Sequence, residues 1–200
     1  MKIARFYLLQ QDPPSASLTA AESLACELSA QEWRSGKRVL IACQSQAQAE
    51  KLDEALWARE PSDFIPHNLA GEGPHYGSPI ELCWPEKRGN ASRSVLINLQ
   101  PQFADFATVF HDVIDFVPHE EERKVLARER YKAYRRVGFN LKTLPAPAIN
   151  DQPLFGFYIA EEPWKKHITL KTFSPPPTNT GRRMATLNHA AMQAEATTVS

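Results

Sequence analysis

The chain carries no net charge, few cysteines and no long apolar run, and each absence removes a class of function. Lys plus Arg equals Asp plus Glu at 23 each among 200 residues, so no general electrostatic drive toward nucleic acid or a membrane surface exists. Any such attraction must come from local charge, and strong direct DNA binding is not expected. Cys26, Cys43 and Cys83 are odd in number, far apart and set among apolar neighbours. They read as buried reduced thiols, which fits a cytoplasmic protein. No apolar stretch approaches the roughly 18 residues of a membrane span. The start Met1-Lys2-Ile3-Ala4-Arg5-Phe6 lacks a signal peptide's apolar core. The histidines are scattered, and no two stand three or four apart as metal ligands on one helix face would.

With 42% hydrophobic residues, the chain can bury a sizeable core in one domain of ordinary size, or in a smaller domain with a tail. Residues 3–9 form a β-rich run ended by Asp12-Pro13-Pro14-Ser15. The segment 19–36 predicts an amphipathic helix, with Thr19 and Glu22 in capping-box spacing and Gly36 as the stop. Residues 38–43 form a nearly continuous apolar strand, as in a sheet covered on both faces, and 45–57 a second helix. Strands follow at 80–84 and 95–99, with another at 108–117, although 103–110 could hold a helical turn. A long loop rich in Pro and Gly joins Trp57 to Ile80, and loops of that length are often functional. Alternating strands and helices at this spacing predict an α/β layered fold. After Leu144, prolines punctuate a segment without sustained periodicity, which puts a domain boundary near residue 145. Residues 146–200 then read as an irregular C-terminal tail.

The most telling stretch is the last long helix, about 120–137. It holds seven Lys/Arg and four Glu between Glu120 and Arg136. The acids stand mostly at its start and the cations at its end, as the helix dipole favours. Lys124, Arg128, Tyr131, Lys132 and Arg135 share one side at helical spacing. Leu126, Ala133 and Val137 lie on another side and can face a core. Gly138 stands where a left-handed residue closes a helix. The stripe has two readings: a solvated helix face, or a fixed cationic surface for something acidic and partly apolar.

Other motifs are weaker. Arg34-Ser35-Gly36-Lys37-Arg38 lacks the outer residues of a phosphate loop and precedes a strand. Glycines 71, 73 and 77 lie outside a strand–GxGxxG–helix arrangement, so a nucleotide-binding α/β enzyme is only the second reading. Nothing marks a catalytic nucleophile. Trp57 ends a helix and Phe64 follows the turn after it. Both rings either close over the core edge or form a surface aromatic anchor for a partner.

Four blocks in order carry a resemblance. They are residues 33–43 (Trp33-Arg34-Ser35-Gly36-Lys37-Arg38 and the strand after it), 52–57 (Leu52-Asp53-Glu54-Ala55-Leu56-Trp57), 64–73 (Phe64-Ile65-Pro66-His67-Asn68-Leu69-Ala70-Gly71-Glu72-Gly73) and 127–132 (Ala127-Arg128-Glu129-Arg130-Tyr131-Lys132). Together they resemble the chi subunit family of bacterial DNA polymerase III holoenzyme, of enterobacterial type, over about residues 1–144. The resemblance implies a three-layer α/β/α fold with a mostly parallel central sheet, no catalytic activity, no cofactor and no metal. It implies pairing with the psi subunit, which ties chi to the clamp loader, and binding of the acidic C-terminal tail of single-stranded DNA-binding protein. Trp57 and Phe64 match the positions that meet psi or, alternatively, a helicase-like repair partner. Val117, Lys124, Arg128, Tyr131 and Lys132 match the pocket for the acidic tail.

The segment beyond residue 145 departs from that family. Pro163-Trp164-Lys165-Lys166-His167-Ile168-Thr169 permits codons that, in a shifted frame, read Met-Glu-Lys-Thr-Tyr-Asn. This resembles the start of enterobacterial valyl-tRNA synthetase, whose gene commonly lies just downstream. The expectation is that most of residues 163–200 is an out-of-frame read-through product, with 146–162 as translated spacer. The competing view is a genuine partner-binding tail.

Overall fold

The computed structural model describes residues 1–12, 16–59, 63–89 and 92–147. The expectations for residues 148–200 lie outside the described residues. Seven strands, β1 (Ile3–Leu8), β2 (Val39–Ala42), β3 (His67–Leu69), β4 (Ile80–Cys83), β5 (Val95–Asn98), β6 (Asp112–Val117) and β7 (Asn140–Pro145), form one sheet. Its order is β3-β4-β2-β5-β6-β1-β7, and every pairing of neighbours is parallel. Three helices accompany it: α1 (Ala20–Arg34), α2 (Gln46–Trp57) and α3 (Glu121–Arg136).

Right-handed crossovers set the layers. From β1 to β2 and from β2 to β3 the chain moves toward the β3 edge, which puts α1 and α2 together on one face, where they touch. From β6 to β7 it moves the opposite way, so α3 covers the other face over β6 and β7. Covering both faces is why β2, β4 and β5 are buried at every position. The three-layer α/β/α expectation therefore holds, with a sheet that is entirely parallel among the described strands.

Local chemistry explains the helix ends. The Thr19 hydroxyl accepts from Glu22 N–H while the Glu22 carboxylate accepts from Thr19 N–H, and the Asp12 carboxylate accepts from Ala20 N–H at 2.7 Å. Ser45 caps α2 through Gln48 N–H. Gly138 takes φ +89 at the end of α3, a conformation that costs glycine little. Its N–H donates to Arg135 C=O and that of Phe139 to Tyr134 C=O, which turns the chain into β7. Cys26, Cys43 and Cys83 are free and buried. Burial pushes the Cys26 and Cys83 thiols up to about 12.

Three sequence expectations change. The strand expected at 108–117 starts at Asp112, after a 3-10 turn over Asp105–Val109. The long loop contains β3, and β7 adds the opposite edge; neither was read from the sequence. The face of α3 given to the core is also wrong: Leu126 and Val137 are exposed, and the buried residues are Ala127, Arg130 and Tyr134.

Candidate functional site

Arg130 and Tyr134 fix how α3 lies on the sheet. The Arg130 guanidinium donates to the Asp115 carboxylate, Nη2 to Oδ1 at 2.8 Å and Nε to both oxygens at 3.1 Å. It also donates to the carbonyls of Phe116 and Pro101, both at 2.9 Å, and Asn98 donates its amide to Asp115 at 3.1 Å. Complete burial pushes the Asp115 carboxyl above the ordinary carboxylate range, against the pull of Arg130 and of these hydrogen bonds. Tyr134 packs edge-on against Phe6, Phe103 and Phe139. Sequence reasoning missed this anchor because an arginine in a cationic helix reads as surface.

With Arg130 and Tyr134 turned inward, the next positions around α3 fall over β1 and β7. A groove of about 240 Å³ opens there, lined by Phe6, Val117, Ala127, Arg128, Tyr131, Lys132 and Thr143. Four of the five residues expected at an acidic-tail site, Val117, Arg128, Tyr131 and Lys132, are thus brought together. Lys124 is not in the lining; it sits one turn earlier and contacts Glu121 at 3.2 Å. Tyr131 stacks against Phe6, their centroids 5.1 Å apart. The floor is aromatic and aliphatic, while the Arg128 and Lys132 side chains at the rim are 60% and 65% exposed. Glu121 bridges Lys124 and Arg128, and these two hydrogen bonds hold its carboxyl below the usual range. Such a rim can trade its exposed pairs for a ligand's carboxylates at little cost, because surface ion pairs contribute little.

The second candidate pair lies at the opposite edge, where α2 packs on β3. Trp57 and Phe64 are 57% and 55% exposed, with centroids 5.7 Å apart, so they do not close over the core. Behind them sits His67, a residue the sequence did not single out. Its ring lies 4.8 Å from that of Trp57. Nδ1 contacts Ile65 C=O at 2.6 Å, and Nε2 lies 3.4 Å from the Asp53 carboxylate. Burial pushes the Asp53 carboxyl up.

Among the described residues the nucleotide-binding reading finds no cradle. The N-terminus of α1 is already met by Asp12 and Glu22, whose negative charge repels phosphate. Gly73, at φ +83, faces Asn68 Cγ, which would lie 3.2 Å from an added Cβ. It belongs to a turn leading into strand β4, not into a helix.

The three-layer fold thus presents an apolar groove under exposed cations beside α3 and an exposed aromatic pair beside α2. Residues 1–142 match the family DNA polymerase III chi subunit, HolC, and the chain belongs to that family of non-catalytic subunits of DNA polymerase III. DNA polymerase III subunit chi of Escherichia coli K12 is 60% identical over 143 residues, covering 72% of this chain and 97% of the relative. The protein of the same name from Haemophilus influenzae Rd is 50% identical over 142 residues, covering 71% and 96%. The solved structure of T4 UvsW superposes with a TM-score of 0.50 at 8% identity, over 73% of this chain and 42% of that one. That is a likeness of fold alone.

Proposed function

We propose that this chi-family chain is an adaptor that joins single-stranded DNA-binding protein to the clamp loader through two separate edges of one sheet. The observation that carries this reading is the groove beside α3: an apolar floor of Phe6, Val117 and Tyr131 under the exposed cations Arg128 and Lys132. An acidic tail ending in an aromatic residue fits both parts. Its ring fills the floor and its carboxylates take charge-assisted bonds from the rim, with Lys124 one turn further along. At the other edge, Trp57 and Phe64 form the aromatic anchor for psi, or alternatively for a helicase-like repair partner. The adaptor works in the cytoplasm and needs neither cofactor nor direct DNA contact. Both edges lie within residues 1–145, and the extension 146–200 is not required.

Titration of the chain with an acidic tail peptide and with psi tests the assignment. Arg128→Ala is expected to weaken the peptide about tenfold, or about 1.4 kcal/mol, while keeping psi. Phe64→Ala should weaken psi and keep the peptide. Peptide affinity in the unsubstituted protein should fall as salt rises. Normal peptide binding by Arg128→Ala refutes the groove assignment.

A further inference from the structure

A second groove, of about 250 Å³, runs along the other flank of α3. Phe103 forms part of one wall, and Leu126, Ala133 and Arg136 form part of the other. Lys132 lines both grooves, so only the ridge of α3 separates them. Around the helix the cations sweep from one flank to the other in the order Lys124, Arg128, Lys132, Arg136. Their carboxylate partners are unevenly distributed. Glu121 serves Lys124 and Arg128, and Glu129 serves Lys132. No carboxylate among the described residues stands within 4.0 Å of Arg136. The Glu129 carboxylate also lines the second groove and its charge acts on Arg136, so the groove combines an apolar wall with two exposed cations, Lys132 and Arg136, against one exposed carboxylate.

We infer that an acidic peptide anchored by its aromatic end in the first groove crosses α3 at Lys132 and lays its upstream carboxylates beside Arg136 in the second groove. The inference rests on the acidic-tail reading above. Distances permit the crossing: a helix with side chains is about 10 Å across, and extended chain advances about 3.3 Å per residue. About three residues span the ridge, so acids four or more positions before the aromatic end reach Arg136. Charge complementarity selects the occupant, because Lys132 and Arg136 outnumber Glu129 in the second groove, beside Leu126 and Phe103, which suit the stems of an extended peptide.

The test uses the full chain and two labelled peptides at low salt. The short peptide is an aromatic C-terminal residue preceded by two acids; the long one adds five acidic residues upstream. The long peptide is expected to bind more tightly. Arg136→Glu should remove that gain, a weakening of up to about fivefold, the upper end for one exposed ion pair, and leave the short peptide unaffected. Lys142→Glu, an equal charge change on the exposed edge strand β7, should keep the gain. The inference is overturned if the long peptide shows no gain, if Arg136→Glu keeps it, or if both variants lose it equally. Arg128→Glu separates the two claims. It should weaken both peptides, and unchanged binding of the short one would overturn the acidic-tail reading itself.

Discussion

Arg130 and Asp115 illustrate how one residue pair sets the site without touching a ligand. Their side chains are 7% and 0% exposed, and together they tie α3 to β6 and to the carbonyl of Pro101. Arg130→Ala leaves a buried carboxylate without its partner, and it should cost about 3–5 kcal/mol in urea unfolding. Pairing Arg130→Met with Asp115→Leu should recover part of that loss, since the penalty comes from the orphaned charge. A measured loss near zero for Arg130→Ala refutes this account of the anchor. By contrast, Arg128 is an exposed residue one position away from the buried face, and its replacement should change binding with little effect on stability.

Among the elements, α1 ties its own start to α2 through one carboxylate. Burial by itself would raise the Glu22 carboxyl, but hydrogen bonds from Lys51, Thr19 N–H and Gln48 outweigh it and hold the group below its ordinary value. A depressed folded value means that ionised Glu22 stabilises the fold above about pH 4.5, its unfolded range, and that this contribution fades as pH falls through the folded value. Glu22→Gln should therefore lower Tm at neutral pH, and the gap to the unsubstituted protein should shrink in acid. A gap that stays constant across a thermal-melt series from pH 7 to pH 3 contradicts the linkage. The capping box was legible because both partners are local, three residues apart. The core face of α3 was not, because Leu126 and Val137 look more apolar than Arg130 until Asp115 is brought beneath it.

The whole molecule places its two proposed docking surfaces at opposite edges, α2 with β3 on one side and α3 with β7 on the other. No shared residues link them, so the two partners should bind independently. Peptide affinity measured with and without saturating psi should agree within about twofold. The proposed boundary near residue 145 has its own check. The described chain is tied in as far as Ala146, whose N–H donates to Leu8 C=O at 3.1 Å. A chain ending at residue 147 should match the full chain in Tm and in both affinities, and a drop in either would show that the extension contributes. Sequencing the locus tests the read-through proposal, which requires a synthetase start overlapping the Pro163-Trp164 codons in another frame.

The alternation of strand and helix, the caps at Thr19, Ser45 and Gly138 and the cationic stripe of α3 were all set by local sequence. Each depends on residues within a few positions of one another. Strand β3 was too short to carry a pattern, and β7 became a strand only because β1, from the far end of the chain, lies beside it. The groove is likewise a product of tertiary structure. Phe6 comes from β1, Val117 from β6, Thr143 from β7 and the cations from α3. Only parallel pairing across the sheet, with Arg130 locked onto Asp115, turns that charged helix face into one wall of a site.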